Sequence, residues 1–364
     1  MTTRYFIGLM SGTSADGIDG VLIKATGADR SIVTTHHRQM PEALQQEILA
    51  FRSAGDNELH RLATLDRLMA AEYALCVESL LGEAGLSPEA VTAIGSHGQT
   101  LRHQPDADVA YTVQVGDPNE LAERSSIRVV ADFRRRDLAA GGQGAPLVPA
   151  FHKDQLWHPG EPTAVVNIGG IANVTLIGAS GEVAGWDTGP GNTLMDAWIL
   201  KHRAAPYDAE GAWAASGAED AALLEKLLSD PYFHRSAPKS TGPEYFNLDW
   251  VLRHCSGNED PVDVQRTLLS LSVRSIAEAL EKSSPMVVRV CGGGALNQQL
   301  MTELSSALAP ATVTSTEDIG LAPQWVEACA FAWLAERTLD GLSGNEPGVT
   351  GAKGYRILGG VYPP

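Results

Sequence analysis

At 364 residues the chain exceeds what one hydrophobic core ordinarily supports, and length alone points to two domains or three. Hydrophobic residues at 44% and charged residues at 20% exclude a disordered chain. A formal charge of −17 argues against non-specific nucleic-acid binding, which needs Lys and Arg to neutralise phosphates, but leaves room for a small anion at a local basic run such as Arg134-Arg135-Arg136. The four cysteines (Cys76, Cys255, Cys291, Cys329) are far apart with no C-x-x-C pair, which argues against a zinc site or a disulfide framework and suits a reducing compartment. The N-terminus lacks the basic and apolar regions of a signal peptide, and no stretch approaches the roughly 18–20 apolar residues of a membrane span. The expectation is a cytoplasmic two-domain protein that spans no membrane.

In chain order, the first 25 or so residues read as two strands joined by a Gly-rich turn, "FIGLMSGTSADGIDGVLIKA". Helical spacing follows from Pro41 to about Phe51 and from Glu58 to about Gly82. "VTAIGSHGQTLRHQP" reads as a short strand leading into a polar loop, and "IRVVADFRRRDLAAGGQGAPLVP" as another. From Thr163 come a strand, a Gly169-Gly170 break, a second strand, and a third ending at Asp187. Helices are expected at about Thr193–Arg203, Glu219–Ser229, Val262–Lys282, Asn297–Leu308 and Gln324–Leu339, with one strand among them at "MVVRVC".

A strand–Gly turn–strand unit thus opens each half, and each half later holds a strand running into a Gly-rich turn (Ile94–Gly98 and Cys291–Gly294). Alternating strands and helices imply sheets covered by helices, here as two related halves facing each other across a cleft.

The first turn offers backbone N–H groups from Gly12 through Gly17, hydroxyls on Ser11, Thr13 and Ser14, and the Asp16 carboxylate. Glycine admits close approach and successive amides form an anion nest, while Asp16 suits Mg²⁺ accompanying a phosphate. It is no P-loop, because G-K-[ST] is missing and a strand follows; a plain hairpin is the other reading. "DTGPGN" puts Asp187 at a strand end before a helix N-terminus, which fits a base beside an anion held by backbone amides, or a turn-capping Asp. The three glycines of "CGGGALN" would let a flat ring lie against the backbone. "SHGQT" (Ser96, His97, Gln99) is a sugar-facing set or merely a polar loop. The three arginines recognise a carboxylate or phosphate, or pair with Asp132 and Asp137. The ten histidines are scattered with no metal spacing, and no G-x-S-x-G elbow occurs.

Together "GLMSGTSADGID", "IGSHGQT", "VVADFRRRDLAAGGQGAPLVP", "NIGGIANVT", "DTGPGN" and "CGGGALN" resemble the anhydro-N-acetylmuramic acid kinases over nearly the whole chain. The resemblance implies an α/β fold of two duplicated actin-like, ribonuclease H-like domains, mixed sheets flanked by helices around a central ATP cleft. The expected division is residues 1–132 plus 342–364 against 133–341. It implies a cytoplasmic enzyme of peptidoglycan recycling, a homodimer, using ATP, Mg²⁺ and water on 1,6-anhydro-N-acetylmuramic acid. Carried over by position, Gly12, Thr13, Ser14, Ala15, Asp16, Gly17, Ile18 and Asp19 would contact the ATP phosphates, with Asp16 near the metal. Gly169 and Gly170 would take the other side of the phosphate chain, and Gly292, Gly293, Gly294 and Asn297 would face the adenosine. Asp187 would be the catalytic base. Arg136, with Arg134 and Asp137, would sit by the sugar's carboxylate, near Ser96, His97 and Gln99. Glu327 is a second carboxylate that reaches the site or is an ordinary helix residue. A kinase for another sugar or small carboxylate, or a non-catalytic actin-like regulator, are the other readings.

Overall fold

The computed structural model describes residues 2–12, 14–237 and 239–364, so Thr13 of the first turn lies outside them. In chain order the first elements are β1 (Thr3–Ser11), β2 (Gly17–Thr26), β3 (Asp29–Gln39), α1 (Glu42–Ala50), α2 (Glu58–Ala84), β4 (Val91–Gln104), β5 (Tyr111–Val115), α3 (Pro118–Ser125), β6 (Val129–Ala131), α4 (Arg135–Ala139) and α5 (Val148–Leu156). Then come β7 (Thr163–Ile168), β8 (Ile171–Ile177), β9 (Val183–Pro190), α6 (Thr193–Arg203), α7 (Ala212–Ala215), α8 (Ala221–Leu228), α9 (Leu248–His254), α10 (Pro261–Leu280), β10 (Val287–Cys291), α11 (Gln298–Ala307) and β11 (Thr312–Ser315). The chain ends with α12 (Val326–Leu339), α13 (Pro347–Thr350) and β12 (Gly360–Tyr362). Among the described residues no helix is long and apolar enough to cross a membrane.

The two compact units are residues 1–151 with 325–364, and residues 152–324. The first holds a sheet ordered β12-β6-β4-β1-β2-β3, with β5 on β4; the second holds β11-β10-β7-β8-β9. In the first, β1 is antiparallel to β2 and parallel to β4, and β4 is parallel to β6. In the second, β7 is antiparallel to β8 and parallel to β10, and β10 is parallel to β11. One strand plan is therefore used twice, each time opened by a hairpin at a Gly-containing turn. The duplication legible in the two hairpins extends to whole sheets.

Four expectations change. "SHGQT" is not a loop: β4 continues through it, because β1 on one side and β5 on the other keep both backbone edges paired. Strand β9 likewise runs past Asp187 to Pro190, held by β8. Strands β3, β5, β11 and β12 are additional to the expected ones. β3 is a half-exposed strand whose Thr and His residues dilute the apolar alternation, and β11 has only four residues. The division also differs, since 133–151 and 325–341 belong to the first unit.

The physical reason for that last shift is α12. From Ala328 to Glu336 every residue is buried, and the helix seats on β1 and β4. Gly8 and Gly95 are paired neighbours on those strands, and they make the flat patch on which it rests. A Cβ on Gly8 would run into the Ala328 carbonyl, and one on Gly95 into that of Phe331. The opposite face of this sheet carries α2, whose Leu65, Met69, Tyr73 and Leu80 pack with Leu9 and Leu22. In the second unit α10 and α6 supply Leu268, Leu271, Ile276, Leu194 and Trp198 to a core with Val166, Ile168 and Val288. Helix starts follow local capping chemistry: Asp220 accepts from Leu223 N at 3.0 Å, and Asp260 from Val262 N at 3.1 Å with Pro261 next.

Candidate functional site

In the first unit the β1–β2 turn is braced from below. Ser11 Oγ, buried, lies 2.9 Å from the Gly17 carbonyl and 2.6 Å from Gln99 Oε1, and Gln99 Nε2 donates to the Gly12 carbonyl at 3.1 Å. Gln99 is fully buried, so it shapes the turn; the expectation that it faces a sugar is corrected. Ile18 and Ala15 put their side chains in the core, and any ligand would meet their backbone alone. Ala15 adopts a left-handed φ of 54°. Ser14 and Asp16 are exposed, and Ser14 donates its hydroxyl to Asp16 Oδ1 at 2.6 Å. Asp19 is partly buried; burial raises its pKa, and His37 Nδ1 at 2.7 Å opposes the rise.

The Arg134–Asp137 run divides by exposure. Arg136 is exposed. Arg134 donates to His97 Nε2 from Nε at 3.1 Å and Nη2 at 2.7 Å, and to the Gly144 carbonyl at 2.9 Å. His97 is therefore a neutral acceptor at Nε2, its pKa held well below the ordinary value by burial and by the Arg134 charge. Burial also lowers Arg134, to about 10, with Glu327 opposing. Asp137 is fully buried: it accepts from Gly144 N at 2.8 Å, Asn345 Nδ2 at 2.7 Å and Thr350 Oγ1 at 2.9 Å. Arg134 and Asp137 thus hold the Gly-rich segment after α4 in shape, and only Arg136 of the expected trio is presented outward. Glu327 is partly buried in the first turn of α12, and burial raises its pKa against the Arg134 charge. Ser96 is buried with its hydroxyl unpartnered among the described residues. With His97, Asp66, Asp132 and Arg135 it lines a polar cavity of about 280 Å³.

In the second unit the three amides before and into α6 are already used. Gly191 N and Thr193 N donate to the Gly170 carbonyl at 2.8 and 3.1 Å, and Asn192 N donates to that of Gly169 at 2.8 Å. They stiffen the β7–β8 turn, which corrects the expectation that they hold an anion. Asp187 is half-buried on the edge strand β9 and gripped by a later segment. Its N–H donates to the Lys239 carbonyl at 3.0 Å, Tyr232 Oη donates to its carbonyl at 2.7 Å, and Thr241 N donates to Oδ2 at 3.0 Å. Burial raises its carboxyl to about 6, partly offset by the Thr241 amide. Sequence reasoning missed this clamp: "KSTGPEYF" has loop composition, but nothing local names its partner.

The glycines separate into two classes. Gly292, at φ 78°, and Gly294 press against Asn167 and Ile168 of β7, so their own chain requires them. Asn297 spends Oδ1 as the N-cap of α11, accepting from Leu300 N at 3.0 Å, which corrects its reading as an adenosine contact through that atom. Gly12, Gly169, Gly170 and Gly293 differ: the nearest atoms to an added Cβ are 3.7, 3.6, 3.7 and 3.8 Å away. No contact among the described residues demands glycine there; close approach of a ligand would. Alanine at Gly12, Gly170 or Gly293 is expected to leave the melting temperature unchanged and to raise KM for ATP about tenfold, a loss of ~1.4 kcal/mol of binding. Alanine at Gly292 is expected to lower the melting temperature. Thermal melts and initial rates on the four variants check both.

Comparison with known proteins follows this geometry. Residues 4–364 match the family model described as anhydro-N-acetylmuramic acid kinase. The chain is 48% identical over 367 residues to the anhydro-N-acetylmuramic acid kinase of Shewanella sediminis, covering 100% of both. It is 49% identical over 362 residues to that of Pseudomonas putida, covering 98% of this chain and 99% of the relative. Among solved structures, the activator of the 2-hydroxyisocaproyl-CoA dehydratase from Clostridium difficile with bound ADPNP is similar in fold. Its TM-score is 0.50 at 13% identity, covering 93% of this chain and 98% of that one. With a full-length family match and relatives nearly half identical from end to end, the chain belongs to the anhydro-N-acetylmuramic acid kinase family.

Proposed function

We infer that the protein transfers the γ-phosphoryl group of ATP to O6 of 1,6-anhydro-N-acetylmuramic acid while water opens the anhydro bridge, releasing ADP and N-acetylmuramic acid 6-phosphate. The observation that carries the chemistry is Asp187: a half-buried carboxylate on a rigid strand, clamped by Thr241 N and raised to about 6. A base of that strength is ionised at neutral pH yet basic enough to take a proton in the transition state. The substrate has no free 6-hydroxyl, because O6 is bonded to C1. Asp187 accepts a proton from the water that attacks C1; the C1–O6 bond breaks, and O6 forms its bond to the γ-phosphorus as ADP leaves. A glycosidase needs a second carboxyl to protonate its leaving oxygen, a task the phosphorus takes over here.

Gly12 and Ser14 of the first turn, and Gly169 and Gly170 of the second, are the groups read as approaching the phosphate chain, and Gly293 as approaching the adenosine. Asp16 is the carboxylate suited to Mg²⁺: exposed, with Oδ1 bonded to Ser14 and with Asp19 close enough to feel its charge. Bound there, the cation would neutralise charge on the phosphates. Arg136 is read as meeting the sugar's carboxylate, with Ser96 and His97 beside a polar cavity of sugar-accepting character. The reading extends to a homodimer in the cytoplasm, which size-exclusion chromatography with light scattering and fractionation of cells would check.

Turnover in ¹⁸O water tests the reaction. The label is expected on the C1 hydroxyl and absent from the phosphate, read at early times against preformed product that reports background anomeric exchange. Label on phosphate, or none above background at C1, would overturn bridge opening by water.

A further inference from the structure

Beside Asp187 lies a second concavity. β9 is the edge strand of its sheet, its register with β8 shifts between Asp187 and Gly189, and Trp186 and Thr188 turn toward residues of α10. There, with Leu176 and Phe233, they wall a cavity of about 530 Å³, large enough for a small ligand. Arg235, Lys239 and Lys282 line it against a single carboxylate, Glu278, in a chain whose formal charge is −17. Lys239 is fixed in place: Nζ donates to the carbonyls of Tyr232 and Phe233 at 3.1 and 3.2 Å and stands 4.6 Å over the Tyr232 ring.

One residue of this cavity, Lys239, also holds the catalytic strand, beside Tyr232 and Thr241 of the same segment. Lys239 accepts from Asp187 N, Tyr232 donates to the Asp187 carbonyl, and Thr241, two residues on, donates to Oδ2. A ligand drawn to the side chains of Lys239 and Arg235 bears on the backbone that orients the carboxylate. An indole face suits the C–H face of a pyranose, and clustered Arg and Lys suit a phosphate.

We propose that this cavity is an effector site for a sugar phosphate, the class of compound the reaction makes, and that its occupancy lowers turnover through the clamp made by Tyr232, Lys239 and Thr241. The kinetic half rests on Asp187 being the base; the binding half does not. N-acetylglucosamine 6-phosphate, neither substrate nor product, is the probe, with inorganic phosphate and unphosphorylated N-acetylglucosamine as the other arms. Calorimetry is expected to show saturable binding of the sugar phosphate, with both other ligands at least about tenfold weaker. Saturating probe is expected to lower kcat while KM for ATP is unchanged. The double variant Arg235→Ser/Lys282→Ser is expected to lose at least about tenfold in probe affinity, and Lys282→Ser alone, outside the clamp, to keep the basal rate. No saturable binding, equal affinity for inorganic phosphate, or affinity indifferent to the double variant overturns the site. Binding with no change in kcat overturns the coupling and leaves the site. Because calorimetry needs no turnover, failure of the kinase reading would appear separately, as binding to a protein without activity.

Discussion

Asp187→Asn is expected to abolish turnover, by about 10³-fold or more, while ATP binding and the fold are retained. Removing a positioned general base costs about 10²–10⁴ in rate, and Asp187 is the carboxylate that the Thr241 amide holds. Asparagine keeps the shape and still accepts from Thr241 N, so the loss isolates proton acceptance from geometry. Stability is expected to move the other way. Burial raises the folded-state pKa from 3.8 to about 6, so the ionised side chain destabilises the fold at neutral pH, by an upper bound of about 3 kcal/mol at 1.36 kcal/mol per pH unit. The sign follows from proton binding: a raised folded pKa gives stability that is full below about pH 3.8 and lost as pH rises through about 6. The Asn variant, which has no charge to bury, is expected to melt no lower than the parent at pH 7.5. In the parent, kcat is expected to fall about tenfold per pH unit below pH 6, because only the ionised base accepts a proton. Near-normal activity of Asp187→Asn would remove the residue as base; a flat acid limb would remove its pKa from the mechanism.

Gly95→Ala is expected to lower stability sharply. Its Cβ would meet the carbonyl of Phe331, which belongs to the helix backbone and cannot rotate aside as a side chain would. α12 would have to lift off β1 and β4, uncovering Phe331 and Trp333, both buried at 1% exposure. Overpacking of this kind costs about 1–3 kcal/mol, and rigid backbone puts the site at the upper end. For a domain of this size, a melting temperature lower by about 6–12 °C is expected. Gly82→Ala is the control: exposed in α2, with nothing within 4 Å of an added Cβ, it is expected to gain about 0.5–1 kcal/mol from helix propensity. Equal melting temperatures for the two variants would sink the argument that close helix–sheet approach fixes Gly95.

Much of the candidate site is visible along the chain because its parts are local. A Gly-containing turn between two apolar runs announces a hairpin whatever surrounds it, and two such turns announce a repeated plan. Helices with caps and long periodic faces, such as α10 behind Asp260 and Pro261, declare themselves for the same reason. Sequence could not sort the glycines: Gly292 and Gly293 are adjacent and identical in type, yet one is pinned by Asn167, and an added Cβ on the other would meet nothing nearer than Asn192 Nδ2 at 3.8 Å. Nor could it separate ligand groups from braces. Gln99 and Asp137 sit in motifs that read as sugar-facing, and both are fully buried against partners far off in the chain, Asp137 against Asn345 and Thr350.

By itself, then, the sequence determined the family, the doubled strand–turn–strand plan and Asp187 as the candidate base. Each depends on residue types within a short window. Tertiary structure decided what Asp187 is: Tyr232 and Thr241, 45 and 54 residues downstream, grip its strand, and burial there makes an ordinary aspartate a stronger base. It also decided the membership of α12, which seats on the paired glycines of β1 and β4 in the first unit. Contacts between distant segments exclude water and set pKa values and close approaches, and no local window of the chain contains them.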